Sequence, residues 1–223
     1  MADGKPFDLK RHLPSTAFVL IILVIVAAFA GIFVYAGLYN IGADKPHSKL
    51  VYNILDTLRE RSIAANASGI KPPADLNSLK RIQSGAGLYA EMCTGCHLGP
   101  GVEPSEMSQG LYPQAPQLAR GNDHSPAQQF WIIKHGIKLS AMPAWGKTHN
   151  DELIWDMVAF LQQLPKMSPE QYKAAVASAP QDHDEMMKDM PGMSGTKEGP
   201  TPAGPADESK PHAHSGEGHS HGG

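Results

Sequence analysis

The sequence is poor in cysteine and has no excess of basic charge. Its 223 residues include only two cysteines, Cys93 and Cys96, so the chain can form at most one internal disulfide and cannot supply the two cysteine pairs of a zinc ribbon. The formal net charge is −3, so the basic stripe expected of a nucleic-acid-binding protein is absent, and we expect no nucleic-acid partner. The central part shows no convincing alternation of apolar and polar residues, which favours helices over strands.

A long uncharged run occupies residues 17–38. At helical rise it spans roughly 30 Å, the thickness of a bilayer's hydrocarbon core. Lys10 and Arg11 precede it, and Tyr35 and Tyr39 lie at its far end as interfacial anchors. A cleaved signal peptide is the alternative, but its apolar core has only about 7–15 residues. The length therefore favours an uncleaved single-pass anchor over residues 17–39, with residues 1–16 in the cytoplasm.

Residues 40–76 are predicted to form a juxtamembrane helix and a linker. Apolar residues recur there at helical spacing, at Leu50, Val51, Ile54, Leu55 and Leu58. Such a helix either lies on the membrane surface or covers part of the next domain, and the second interpretation is the commoner outcome for an amphipathic helix. The sequence GIKPPAD at 69–75 then ends the pattern.

Residues 77–165 are predicted to form a small helical domain. Its first helix ends at the cysteine pair, Ser125-Pro126 begins another, and Asp151 begins the last, which ends before Pro165. Fewer than ninety residues are marginal for a hydrophobic core alone, so a cofactor is expected to contribute. Ser168-Pro169 begins a separate short helix within 166–179, and the polar tail 180–223 is predicted to be disordered.

The sequence Cys93-Thr94-Gly95-Cys96-His97 is the C-x-x-C-H signature of covalent haem attachment. The two thiols form thioethers with the haem vinyl groups, and the adjacent histidine lies close enough to bind the iron. A thioredoxin-like dithiol would need a βαβ context and leaves His97 unexplained, and a disulfide across two residues is rarely useful. The motif therefore favours one covalent haem c.

A second protein ligand to the iron is expected, as is usual in cytochromes, and methionine is the choice that raises the potential. The candidates are Met107, Met142, His135 and His149. Met107 follows His97 by only ten residues, a short reach around the porphyrin. Met142 lies between two predicted helices in a loop that is free to fold over the haem, and it is the predicted ligand.

These residues resemble the class I, mono-haem c-type cytochromes over about residues 79–164. Gly85 and Tyr89 precede Cys93 by eight and four residues, as in that family, and Phe160 with Met157 matches its C-terminal helix. The resemblance implies an all-α fold with three to five helices around one covalent haem. It also implies a close crossing of the first and last helices, which explains the glycine.

The same resemblance extends to two loops. Pro116-Gln117-Leu118 matches the family's Pro-x-Leu, which implies that the Pro116 carbonyl accepts the proton of the second ring nitrogen of His97. The loop Met142-Pro143-Ala144-Trp145-Gly146 is also similar, so Tyr89, Trp131, Trp145 and Phe160 are expected to close the pocket or core. Haem is attached outside the bacterial inner membrane in such proteins, which implies a periplasmic domain.

The tail carries a second, weaker signal. Imidazole and thioether groups suit copper, and histidine clusters also bind other divalent metals. The possible ligands are His183, Met186, Met187, Met190, Met193, His212, His214, His219 and His221. A flexible solubilising tail without selective metal binding is the equally weighted alternative.

The combined prediction is a membrane-tethered electron carrier rather than an enzyme. No nucleophile, carboxylate pair or open catalytic metal site is recognisable in the sequence. The expected partners are the membrane and redox proteins such as a quinol-oxidising complex, a dehydrogenase or a terminal oxidase. The alternatives are a fixed subunit of a larger membrane oxidoreductase and a haem protein coupled to periplasmic copper handling.

Overall fold

The computed structural model describes residues 15–180. Within this range the chain forms α-helices and short 3₁₀ turns and no strand, which confirms the predicted all-α class. The helices are α1 (Thr16–Tyr35), α2 (Lys49–Ala67), α3 (Leu79–Met92), α4 (Thr94–His97), α5 (Glu106–Gly110), α6 (Pro126–His135), α7 (Asp151–Leu161) and α8 (Pro169–Ala177).

Helix α1 is the one helix within residues 15–180 that is long and apolar enough to cross a membrane. Its 20 residues contain no charged side chain, and its mean hydropathy reaches 3.2. The Ser15 side chain caps the first turn by accepting a hydrogen bond from Phe18 N. None of its residues is buried against the rest of the protein. Length and composition are compatible with a single-pass membrane anchor.

The core of the domain is the crossing of α3 and α7. Both helices are amphipathic, and α7 buries all of its apolar residues, including Ile154, Met157 and Phe160. The Tyr89 and Phe160 rings meet at 5.4 Å between centroids. A Cβ built on Gly85 would lie 2.0 Å from the Asp156 carbonyl oxygen, so only glycine lets the backbones approach this closely.

Side-chain caps begin the helices that the sequence predicts. The Ser125 and Ser168 hydroxyls each accept a hydrogen bond from a backbone N–H, and the side chains of Gln128 and Gln171 complete the two capping boxes. Both helices also have proline in the first turn. Helix α6 ends at Gly136, whose φ of +64° is the left-handed conformation that glycine tolerates best. These local signals act within one turn, so they are readable from the chain.

Helix α2 packs on the domain through its C-terminal half. Ile63 and Ala67 are buried there, and the Glu60 carboxylate lies 3.0 Å from His124 Nε2, in the turn before α6. The prediction left packing on the domain and lying on a membrane as alternatives. The described contacts place the C-terminal half on the domain.

The contact between Glu60 and His124 predicts a pH dependence. Burial raises the pKa of Glu60, but hydrogen bonds and charge from His124 and Arg59 outweigh burial and leave the pKa lowered. A lowered folded-state pKa means that the stabilisation is complete above the ordinary value of 4.5 and is lost as pH falls through the lowered value. The effect should stay below about 1 kcal/mol, because both side chains are partly exposed.

Amide hydrogen exchange in the C-terminal half of α2, corrected for intrinsic rates, measures this loss. Exchange should accelerate on acidification in the native protein. The Glu60→Gln variant should exchange faster at neutral pH and respond less to acid. Equal acid responses in the two proteins would contradict the assignment to Glu60.

Candidate functional site

The two cysteines and His97 lie on a single helical turn. Cys93 is the C-cap of α3 and the N-cap of α4, and its carbonyl accepts hydrogen bonds from Cys96 N at 3.1 Å and His97 N at 2.8 Å. Both thiols are free and half-buried. The turn therefore presents two sulfur atoms and one imidazole within five consecutive residues.

The imidazole of His97 is held in position by a distant loop. Its Nδ1 lies 2.8 Å from the carbonyl oxygen of Pro116, which can only accept, so Nδ1 carries the proton. Nε2 then keeps its lone pair for a metal. Burial lowers the pKa of His97, and the hydrogen bond to Pro116 opposes this only in part. The neutral imidazole is the form that binds a metal.

Tyr89 supports the backbone directly after the motif. Its hydroxyl donates a 2.6 Å hydrogen bond to the carbonyl of Leu98, a non-glycine residue with a φ of +58°. Burial, followed by the proximity of Cys93 and Tyr172, raises the pKa of Tyr89, so the hydroxyl stays protonated and continues to donate. Tyr89 thus stabilises an unfavourable backbone conformation one residue from His97.

Helix α8 also reaches the motif, a contact that the sequence does not predict. The Tyr172 and Thr94 hydroxyls are hydrogen-bonded at 2.8 Å, and the Tyr172 ring meets the Tyr89 ring edge-on. Tyr172 and Pro169 pack on Gly99 and Gly101, where a Cβ would approach to 2.9 Å and 2.7 Å. The glycine-rich segment after His97 was the available signal, since it allows another element to pack closely.

The loop that contains Met142 is closed by its own backbone. Met142 O accepts from Ile137 N at 3.2 Å, and Met142 N donates to Ser140 Oγ at 3.2 Å. A Cβ on Gly136 would meet Met142 O at 2.7 Å, and one on Gly146 would meet Lys134 O at 2.8 Å. Both ends of the loop are therefore packed against α6, which fixes the backbone of Met142 while its side chain stays half-buried.

The other candidate ligands have different neighbours. Met107 Sδ lies 3.5 Å from Cys96 Sγ, and the residue is 64% exposed. His149 is buried and packs edge-on against Trp145, whereas His135 is exposed and lies beside Trp131 on α6. The possible tail ligands, from His183 to His221, lie outside the described residues, as do residues 1–14 and the predicted disorder of 181–223.

Other uses of the cysteine pair fit the structure less well. Burial and the neighbouring Cys96 raise the pKa of the Cys93 thiol to about 12, so Cys93 lacks the lowered pKa of a reactive dithiol. Between residues 15 and 180 no three His, Cys, Asp or Glu side chains come together as a metal site. The motif instead offers two thiols and one oriented imidazole on a single helical turn.

Residues 80–161 match the family model described as "Cytochrome C oxidase, cbb3-type, subunit III". The domain is a c-type cytochrome. The matched residues of this cytochrome extend from the start of α3 to the end of α7. They make up a little over a third of the whole chain. Searches of the curated proteins and of the solved structures returned no match.

The residues of the cytochrome fit its cofactor. A c-type cytochrome carries haem c and transfers electrons, and the half-buried free thiols of Cys93 and Cys96 are available for thioether bonds. The Nε2 lone pair of His97 is available for iron because Nδ1 is engaged by Pro116. The match confirms the predicted resemblance to a c-type cytochrome.

Proposed function

We propose that this cytochrome is a membrane-tethered, mono-haem electron carrier with its haem domain in the periplasm. Haem c, when bound, supplies a one-electron change at its iron. Cys93 and Cys96 would tether it, His97 would bind its iron through Nε2, and the Met142 thioether would supply a second iron ligand. The observation that carries the proposal is the 2.8 Å contact between His97 Nδ1 and the Pro116 carbonyl, which orients the imidazole as a ligand.

Two protein ligands to the haem iron would favour electron transfer over catalysis. With His97 and Met142 both bound, the iron would offer no position to a substrate. Trp145 follows Met142 in the closed loop and packs on His149, so it supports the loop that presents the thioether. Helix α1 confines the domain to one membrane, which raises its effective concentration near partners in that membrane.

Substituting Met142 tests the axial assignment. We expect Met142→Leu to lose the weak near-infrared sulfur-to-iron absorption band and to lower the reduction potential, because a thioether ligand raises it. Absorption spectroscopy and a redox titration of the full-length protein measure both effects. Met107→Leu is the matched control, since it removes an exposed thioether beside Cys96 and should change neither. Survival of the band in Met142→Leu would refute the ligand.

Redox turnover in membranes tests the carrier function. In inner-membrane vesicles with a reduced quinol pool, the sharp reduced alpha band should appear quickly and disappear when the terminal acceptor is added. A cytochrome that stays oxidised in these vesicles, yet is reducible by dithionite, is not a respiratory electron carrier.

The family description favours a second candidate, a subunit of a larger oxidoreductase. The matching family is named for a subunit of a cytochrome c oxidase. Purification at native abundance in a mild detergent, followed by size analysis, separates the two candidates. A free carrier elutes at the size of one chain with its detergent micelle, whereas a subunit elutes with other membrane proteins at a much larger size.

A further inference from the structure

Helix α2 has two apolar faces on opposite sides. Ile63 and Ala67 are buried on the domain. Leu50, Ile54 and Leu58 follow one another at intervals of four residues, and at 3.6 residues per turn they lie roughly opposite the buried face. Their side chains are 70%, 58% and 64% exposed. We call these three residues the exposed apolar ridge. A helix that only covers a domain core needs one apolar face, so the ridge requires another explanation.

The ridge lies at the end of α2 that is next in sequence to α1. It occupies the first three turns, and beyond Leu58 the same side of the helix carries Arg61 and Ala65. Only residues 36–48 separate α2 from α1. The apolar part of the helix surface is therefore the part closest along the chain to the membrane anchor.

Contacts in the connecting segment keep that end close to α1. The Tyr39 hydroxyl and His47 Nδ1 are hydrogen-bonded at 2.6 Å with their rings stacked, and His47 N donates to the Tyr112 hydroxyl at 2.8 Å. Tyr39 follows the last residue of α1 by four residues, which span at most about 14 Å. The segment thus folds back on itself and ties the domain, through Tyr112, to the end of α1.

We propose that the exposed apolar ridge inserts into the interface of the membrane that α1 spans, so that α2 lies on the bilayer surface. The inference rests on the proposed function, in which α1 is an uncleaved anchor. Apolar side chains gain by leaving water, and amphipathic helices lie in the interfacial plane with their apolar face towards the lipid. Arg61 lines one groove with Ile54 and Leu58, so in this orientation its long side chain would extend to the level of the lipid phosphates.

The arrangement has a functional consequence for the cytochrome. Because Ile63 and Ala67 attach α2 to the domain, seating the ridge on lipid sets the orientation of the whole domain relative to the membrane. The haem domain then presents a constant face to its redox partners instead of swinging on a flexible tether.

Site-directed spin labelling of the full-length, haem-loaded protein in phosphatidylethanolamine–phosphatidylglycerol vesicles tests the proposal. Both native thiols are consumed by haem attachment, so a cysteine introduced by Ile54→Cys is the single site for a nitroxide. Tyr52→Cys is the matched control, because residue 52 lies in the same turn of α2 but on the side of the helix opposite the ridge. Tyr52 is 44% exposed. The unchanged haem spectrum shows that each variant is folded.

We expect the nitroxide at residue 54 to collide more often with oxygen, which concentrates in lipid, than with a water-soluble nickel chelate. The nitroxide at residue 52 should show the reverse. Greater nickel access at residue 54 would overturn the proposal. Low access to both reagents there would also overturn it, since the ridge would then be buried against protein, either a second copy or another subunit.

A third label separates this inference from the anchor itself. A nitroxide at Val24→Cys, in the middle of α1, should be accessible to oxygen and not to nickel. If that label behaves as expected and the label at residue 54 does not, only the ridge proposal fails. If the label at residue 24 is absent because the segment has been removed, the anchor proposal fails.

Discussion

Replacing Gly85 with alanine is expected to remove most of the folded, haem-loaded protein. The added Cβ would lie 2.0 Å from the backbone oxygen of Asp156 and 2.9 Å from the Phe160 Cβ. Because the nearest atoms are backbone, no side-chain rotation relieves the clash, and α3 must move away from α7. That movement opens the core around Tyr89 and Phe160, whose side chains are fully buried. We expect a loss of about 3 kcal/mol or more, the upper part of the range for overpacking.

Chemical denaturation of the purified protein and the yield of haem-stained protein measure this loss. Gly110→Ala is the matched control, because no atom lies within 4 Å of a Cβ at that position and its φ is not positive. The control should keep the native midpoint. A Gly85→Ala protein with the same midpoint as the control would show that the α3–α7 crossing tolerates a side chain.

Replacing Arg81 with methionine is expected to have the next largest effect. The Arg81 side chain is only 12% exposed. Its guanidinium lies 2.8 Å from the carboxylate of Asp156, 2.6 Å from that of Glu152 and 3.0 Å from that of Asp75. Glu152 and Asp75 are exposed to water, but the Asp156 side chain is only 14% exposed. The substitution leaves a largely buried carboxylate without its cation. We expect a loss of about 3 kcal/mol, the lower end for a broken buried pair.

The pH dependence gives this prediction a distinct signature. Burial raises the pKa of Asp156, and hydrogen bonds from Ser84 and Arg81 oppose the rise only in part. Without Arg81 the pKa of Asp156 rises further, because ionising the carboxylate then takes more free energy in the folded state than in the unfolded state. The destabilisation should therefore be largest at neutral pH and should shrink as acid protonates Asp156.

A double variant identifies the origin of the loss. Arg81→Met combined with Asp156→Asn removes the unpaired charge, so it should recover part of the stability at neutral pH and show little pH dependence. Denaturation midpoints of the native protein and of the single and double variants across pH complete the cycle. An Arg81→Met defect that persists unchanged in the double variant would mean that lost packing, and not the buried charge, is responsible.

The local features of this protein were predictable from its sequence. The C-x-x-C-H motif is a run of five residues, so it is readable from their identity and order alone. Helix beginnings at Ser125 and Ser168 depend on a cap and a side chain three residues later, and these contacts form within one turn. The resemblance to a family added Gly85 and Pro116, whose partners lie 71 and 19 residues away in the chain.

Three features of the candidate site were decided only by the tertiary structure. The Tyr172–Thr94 hydrogen bond joins helix α8 to the C-x-x-C-H motif, although the sequence predicts the short helix as a separate segment. The positive φ of Leu98, held by Tyr89, and the closure of the Met142 loop on α6 also depend on packing. No local propensity encodes them, because each joins residues that are distant in sequence or opposes the intrinsic backbone preference.

Helix α2 shows the same division between local and tertiary information. Its sequence carries the apolar spacing that predicts an amphipathic helix, but spacing alone does not say which face meets the domain. The structure buries Ile63 and Ala67 and leaves Leu50, Ile54 and Leu58 exposed. Amino-acid identity determined the C-x-x-C-H motif and the helices, because both depend on neighbours within a turn or two. Packing between distant segments determined the orientation of His97, the support of the motif and the free face of α2.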